Sequence, residues 1–285
     1  MGSGWRRIVI SQSARLSLSD NCLIIQQEET SRIPIEQIES LIIESQQVSL
    51  SSALMVELVA NDVSVIFCDQ KHSPMFEAVP FQSTTYFPKN IELQIGWDED
   101  RKIKIWTTVL QEKICHQAML LDQLGMAKSE ELFEIAKNMT EQNAAESEAQ
   151  AARIYFRALF GSQFRRRTDN DINAMLNYGY SIILSSVNRS VVQHGYLTAL
   201  GIGHYGCKNP YNLSCDIMEP FRPHVDRYVW EHKERKFDSG IRKELIALPL
   251  QEIAFKGKQV SLGTAIDMST IEIISQLNQG GISCY

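Results

Sequence analysis

The apolar residues change their period near residue 98, and that change limits what the chain can fold into. Before it, short runs alternate or cluster: Arg7-Ile8-Val9-Ile10, Leu16-Ser17-Leu18, Cys22-Leu23-Ile24-Ile25, Ile38 to Ile43 and Val63 to Phe67. Runs of four to six such residues, broken by turn formers such as Ser19-Asp20-Asn21, read as strands and a hairpin. Ile33-Pro34-Ile35 belongs on a sheet edge, because proline cannot donate to a ladder. Ser51 to Ala60 reads as one short helix. After residue 98, Ile103, Trp106, Leu110, Ile114 and Ala118 recur at three- and four-residue steps, the spacing of one helix face. Asn170-Asp171 caps a second long helix running to Gly195, and further helices are expected at 129–138, 147–160, 224–234 and 266–278. The fold class is therefore α+β. A β-sandwich or sheet domain over 1–85 is followed by a polar linker, 86–98, and a larger all-α domain, 99–285. A length of 285 residues agrees with about two domains at roughly 150 residues each.

Charge sharpens the division. The formal net charge is −6, which on its face disfavours a polyanion partner. Residues 1–100 hold 6 basic and 14 acidic side chains, whereas 153–243 holds 14 basic and 8 acidic. Any contact with nucleic acid belongs in that second window. The six cysteines form no C-x-x-C pair, so they read as reduced packing residues of a cytoplasmic protein. No run approaches the roughly 20 apolar residues that a membrane-spanning helix needs, so no membrane partner is expected.

Four polar residues of the helical part stand where packing alone does not call for them. Glu148 heads an alanine- and aromatic-rich helix, His204 lies in the glycine-framed loop Gly201 to Gly206, and Asp216 and Glu219 share one side of a helical turn. Carboxylates with one imidazole suit Mg²⁺ or Mn²⁺ better than zinc. An ion so held could stabilise charge in phosphoryl transfer. On residue types alone, solvated glutamates and a structural loop histidine are the commoner readings.

The motifs E-A-Q-A-A-R-I-Y-F-R-A-L-F (148–160), N-A-M-L-N-Y-G-Y (173–180), Gly203-His204 and D-I-M-E-P-F-R-P (216–223) occur in that order. Together they resemble the catalytic integrase subunit of CRISPR spacer acquisition, in the compact form of type II systems, and residues 48–69 resemble that family's sheet domain. Ala149 stands where related proteins often have glycine. The resemblance implies a metal-dependent DNA integrase and endonuclease of antiviral defence. It would join foreign DNA fragments into a CRISPR repeat by 3′-hydroxyl transesterification. It implies Glu148, His204 and Glu219 as catalytic metal ligands, with Asp216 as a fourth, and Mg²⁺ or Mn²⁺ as cofactor. The implied partners are DNA (fragment and repeat), a second copy in a homodimer, and a small companion subunit bridging two dimers. An accessory DNA-end-binding protein and an RNA-guided effector nuclease complete the set.

Around that set, Arg165-Arg166-Arg167 reads as a phosphate-contacting run or a solvated loop. Arg222 reads as a phosphate or ligand-orienting group or as a partner of Asp226. Tyr178 and Tyr180 read as core aromatics, and the four tryptophans show no interleaving with basic residues. Two competing functions are a non-catalytic DNA-binding scaffold of the same complex and a helical hydrolase of small phosphoesters.

Overall fold

The computed structural model describes residues 6–70, 74–78, 80 and 87–279. Trp5, Cys284 and residue 86 lie outside them. Contacts divide the chain into two compact units, Met1–Ser83 and Thr84–Tyr285.

In the first unit the order is β1 (Arg6–Ile10), β2 (Ala14–Ser19), β3 (Cys22–Gln26), β4 (Thr30–Pro34), β5 (Ile38–Ile43), β6 (Val48–Leu50), α1 (Ser52–Ala60), β7 (Ser64–Cys68) and β8 (Pro74–Ala78). Two four-stranded sheets result, ordered β1-β5-β7-β8 and β4-β3-β2-β6. Asp20 and Asn21 both take positive φ, which matches the right-handed twist of the β2–β3 hairpin and explains the Asp-Asn pair there. Proline-bearing β4 lies on an edge, as expected. Leu16, Leu23 and Ile25 of one sheet meet Leu41, Ile43 and Val65 of the other and Leu54 and Leu58 of α1 in a single core. Ser51 caps α1 by accepting from the Leu54 amide.

The second unit is built on α2 (Phe87–Ile95), α3 (Glu99–Gln123), α4 (Ser129–Lys137), α5 (Ala144–Phe160), α6 (Asp171–Gln193), α7 (Asn212–Met218), α8 (Arg222–Glu231), α9 (Ser239–Ala247) and α10 (Leu262–Asn278). Three features depart from the sequence reading. Residues 87–95, expected as linker, are helix α2 of this unit. Asn90 donates to the His194 carbonyl, and Gln94 donates to the carbonyls of Leu197 and Leu200 and accepts from the Leu197 amide. A helix docked by amides rather than by an apolar stripe leaves no hydrophobic period to read. The unit is also not wholly helical, since β9 (Glu252–Phe255) and β10 (Lys258–Ser261) form a hairpin. Lys256-Gly257 turns it with positive φ at both residues. Finally, α9 was not anticipated, although Asp238 caps it by accepting from the Ile241 amide. Among the described residues no helix is long and apolar enough to cross a membrane.

Candidate active site

Helix α3 crosses behind three of the segments singled out above. Its buried stripe carries Leu110, Lys113, Ile114 and Gln117. Lys113 therefore points where its apolar neighbours point, and lysine is rarely buried without a partner. Here it has two. Its Nζ lies 2.6 Å from Glu148 Oε1 on α5 and 2.7 Å from Glu219 Oε2 in the 3-10 turn Glu219–Phe221. Burial alone would lower the Lys113 pKa, but the carboxylates of Glu219 and Glu148 outweigh it and hold it raised.

Glu219 is almost wholly buried, with a side chain 3% exposed, whereas Glu148 is 33% exposed. Arg222 Nη2 forms an ion pair with Glu219 Oε1 at 2.9 Å, so the carboxylate faces two cations. Burial would raise its pKa; Arg222 and Lys113 overcome that and bring it down to about 2. Arg222 is itself fixed, with its guanidinium 4.6 Å above the Tyr180 ring. Tyr180 of α6 and Tyr155 of α5 both donate to Asp226 of α8, the latter at 2.8 Å. A chain of contacts thus runs from a fully buried carboxylate through Tyr180 and Arg222 to Glu219. Arg222 pairs with Glu219 rather than with Asp226.

His204 is placed by a second carboxylate. Asp216 of α7 has 0% exposure and accepts the amides of Ile202 (2.6 Å), Gly203 (3.1 Å) and His204 (2.9 Å). Its Oδ1 also meets His204 Nδ1 at 2.6 Å. An ionised carboxylate only accepts, so Nδ1 carries the proton and, in the neutral imidazole, Nε2 is left with its lone pair. The hydrogen bond to Asp216 raises the His204 pKa against burial, and the Glu219 carboxylate adds to the rise. The two Asp216 oxygens, expected to supply a fourth ligand, meet four donors of the 202–204 loop.

The loop's glycines follow from its closeness to α3 and α7. A Cβ at Gly203 would sit 2.2 Å from the Trp106 ring, and one at Gly201 would sit 2.4 Å from the His204 carbonyl. The edge of Trp106 packs against the His204 ring, centroids 5.4 Å apart. Buried Asn212 ties the loop's ends by donating to the carbonyls of Ala199 and Gly206.

The arginine run divides. Arg166 donates to Asn173 at 2.5 Å and to Asn177 at 3.0 Å and lies over the Phe156 and Tyr180 rings, so it is a strut. Arg165 and Arg167 are exposed. The 173–180 motif reads as structure throughout. Asn173 and Asn177 hold Arg166, Tyr180 holds Asp226, and Gly179 leaves room for Val225, which a Cβ would approach to 2.4 Å. Sequence reasoning missed Lys113, Trp106 and Asp226. For Lys113 the signal was present, as a lysine on an otherwise apolar helix stripe.

Glu148, Glu219 and His204 offer oxygen and imidazole donors, the set that Mg²⁺ and Mn²⁺ accept. Among the described residues no three acidic, histidine or cysteine side chains close on one point as they stand. Two carboxylates nevertheless already grip a single cation, the Lys113 ammonium. Glu219 Oε2 is buried with no hydrogen bond, its contact with Lys113 being an ion pair only. His204 Nε2 carries the free lone pair. A buried anionic oxygen held by an ion pair, beside a second carboxylate, fits a divalent ion.

Two titrations near the site oppose each other. Burial, reinforced by His116 and Arg227, lowers His224 to about 4. Burial raises Asp226 to about 6, against the donating tyrosines. The depressed imidazole contributes stability above pH ~6.5 that is lost as pH falls toward 4. The raised carboxyl contributes stability below pH ~4 that is lost as pH rises through 6. His224→Gln removes only the first effect. Relative to the parent, its unfolding free energy is expected to improve by about 2 kcal/mol on going from pH 7 to pH 5, read by urea melts at both pH values. An unchanged difference would show that His224 is not the acid-sensitive group.

Comparison with known proteins identifies relatives of the whole chain. The family model described as "CRISPR associated protein Cas1" matches residues 8–239. A CRISPR-associated endonuclease Cas1 of Neisseria meningitidis is 32% identical over 270 residues, covering 92% of this chain and 89% of its own length. Among solved structures, a casposase bound to integration product superposes with a TM-score of 0.81 at 18% identity, over 98% of this chain and 92% of its own. A Cas6-RT-Cas1–Cas2 complex superposes at 0.73 and 17% identity, over 98% of this chain and 35% of that one.

Proposed function

The chain belongs to the CRISPR-associated Cas1 family, and from that premise we propose that it is a divalent-metal-dependent integrase and endonuclease. It would join captured DNA fragments to the ends of a CRISPR repeat. The carrying observation is the convergence of Glu148 and Glu219 on one cation, beside a histidine whose Nε2 is turned free by Asp216. Glu148, Glu219 and His204 would hold Mg²⁺ or Mn²⁺. When bound, the ion would supply Lewis-acid stabilisation of the charge that develops on the phosphodiester.

The protein's own part is positioning. Arg222 fixes one oxygen of Glu219 and leaves the other for cation binding. Asp216 holds the imidazole proton on Nδ1 and the ring against Trp106. Little covalent chemistry falls to side chains. The fragment's 3′ oxygen forms a bond to phosphorus and loses its proton, while the repeat's own P–O3′ bond breaks and that oxygen takes up a proton. Water in place of the 3′-hydroxyl gives the nuclease reaction. Exposed Arg165 and Arg167 are the phosphate contacts we assign from the arginine run. Joining on two strands calls for two sites, which a homodimer supplies, bridged by a small companion subunit as the name of the Cas1–Cas2 neighbour suggests. This reading places the protein in the cytoplasm, beside the DNA it would act on.

Glu148→Ala is expected to lower strand joining at least about a hundredfold in a fluorescent half-site assay with Mn²⁺, while DNA binding survives. Undiminished joining by the variant, or full joining in excess chelator, would defeat the enzyme reading and favour the scaffold.

A further inference from the structure

Lys113 is charged, 8% exposed and bracketed on α3 by fully buried Leu110 and Ile114. The carboxylates it joins come from segments 71 residues apart, Glu148 and Glu219, and would repel one another at this separation with no cation between them. The two cations on Glu219 differ in how easily they can leave. Arg222 pairs with Glu219 Oε1 at 2.9 Å while its guanidinium is stacked on Tyr180, itself anchored to Asp226. Lys113 reaches Glu219 Oε2 at 2.7 Å from the end of a flexible four-carbon stem, with no ring among the described residues stacked on its ammonium. The ammonium can withdraw without dismantling the packing, while the guanidinium cannot.

We propose that Lys113 is the resident cation of the divalent-ion site: it holds Glu148 and Glu219 together in the ion-free protein, yields that position when a divalent ion binds, and so sets the site's affinity for metal. This rests on the metal-dependent reading above. An incoming ion must displace a unit positive charge from the two oxygens it needs, so the lysine trades affinity for preorganisation. Glutamine at this position keeps an amide donor, on a side chain one atom shorter, and removes the charge. Arginine keeps the charge.

The test is direct Mn²⁺ binding to the full-length, DNA-free protein, followed by the electron paramagnetic resonance signal of free Mn²⁺, with thermal melts run with and without the ion. Lys113→Gln is expected to bind Mn²⁺ on the order of tenfold more tightly than the parent and to gain more in Tm on saturation. Lys113→Arg is expected to bind no more tightly than the parent. Equal or weaker binding by a folded Lys113→Gln overturns the assignment. If that variant folds poorly without metal, recovery of its melting transition in Mn²⁺ supports the proposal, and no recovery at millimolar Mn²⁺ overturns it. Glu148→Gln separates the two readings. If it binds Mn²⁺ as the parent does, the metal site itself lies elsewhere. If it binds more weakly while Lys113→Gln is unchanged, only the role of Lys113 fails.

Discussion

Glu219→Ala is expected to abolish strand joining and also to lower the unfolding free energy by about 3–5 kcal/mol. Glu148→Ala should cost the same activity with a stability loss of ~1 kcal/mol or less. The two glutamates serve one proposed site from different surroundings. Removing Glu219, 3% exposed, strips both Lys113 and Arg222 of their shared counter-ion inside the protein. Each is then a buried charge without compensation, the situation in which breaking an ion pair costs most. Removing Glu148, 33% exposed, leaves Lys113 still paired with Glu219 and opens its place to water. Glu219→Gln should fall between, keeping an acceptor for Arg222 and losing the charge. Urea unfolding of the three variants beside a half-site joining assay checks the pattern. Equal destabilisation by the two alanine variants would mean that the Lys113–Arg222 pair is not held by Glu219.

This asymmetry was not legible in the sequence, and the reason is physical. Period and capping carried most of the fold. The α3 stripe, the Asn170 cap of α6 and the Asp20-Asn21 turn each depend on neighbours within a few residues. The parts that escaped depend on distant partners. Helix α2 is docked by Asn90 and Gln94 on carbonyls about a hundred residues away, so nothing local marked it. Likewise, the residue types suggested carboxylates and an imidazole for metal, but not which group would be buried, paired or turned inward. Arg222 could have reached Asp226 along its own helix. The tyrosines of α5 and α6 take Asp226 instead and leave Arg222 to Glu219. The 173–180 motif, one of the four that carried the resemblance, contributes struts for Arg166 and Asp226.

Asp216→Ala is expected to be as damaging as any single change near the site, and for a reason distinct from ligand loss. The carboxylate gathers three successive amides, Ile202, Gly203 and His204, and the imidazole Nδ1. Alanine leaves those donors without an acceptor beside a buried helix, at about 1–3 kcal/mol for each that water cannot reach. A total near 3–5 kcal/mol is expected, because the loop can partly open to solvent. Opening it also frees the His204 ring from its tautomer and from Trp106, so joining should be lost even at temperatures where the variant stays folded. Asparagine should rescue little, since its NH₂ end would face amides that need an acceptor. Hydrogen exchange distinguishes this from a direct metal role. A positioning residue requires that amides 202–204 lose protection in Asp216→Ala. If they stay protected while Mn²⁺ affinity falls, Asp216 is a ligand after all, and the four contacts that occupy its oxygens must rearrange when the ion binds.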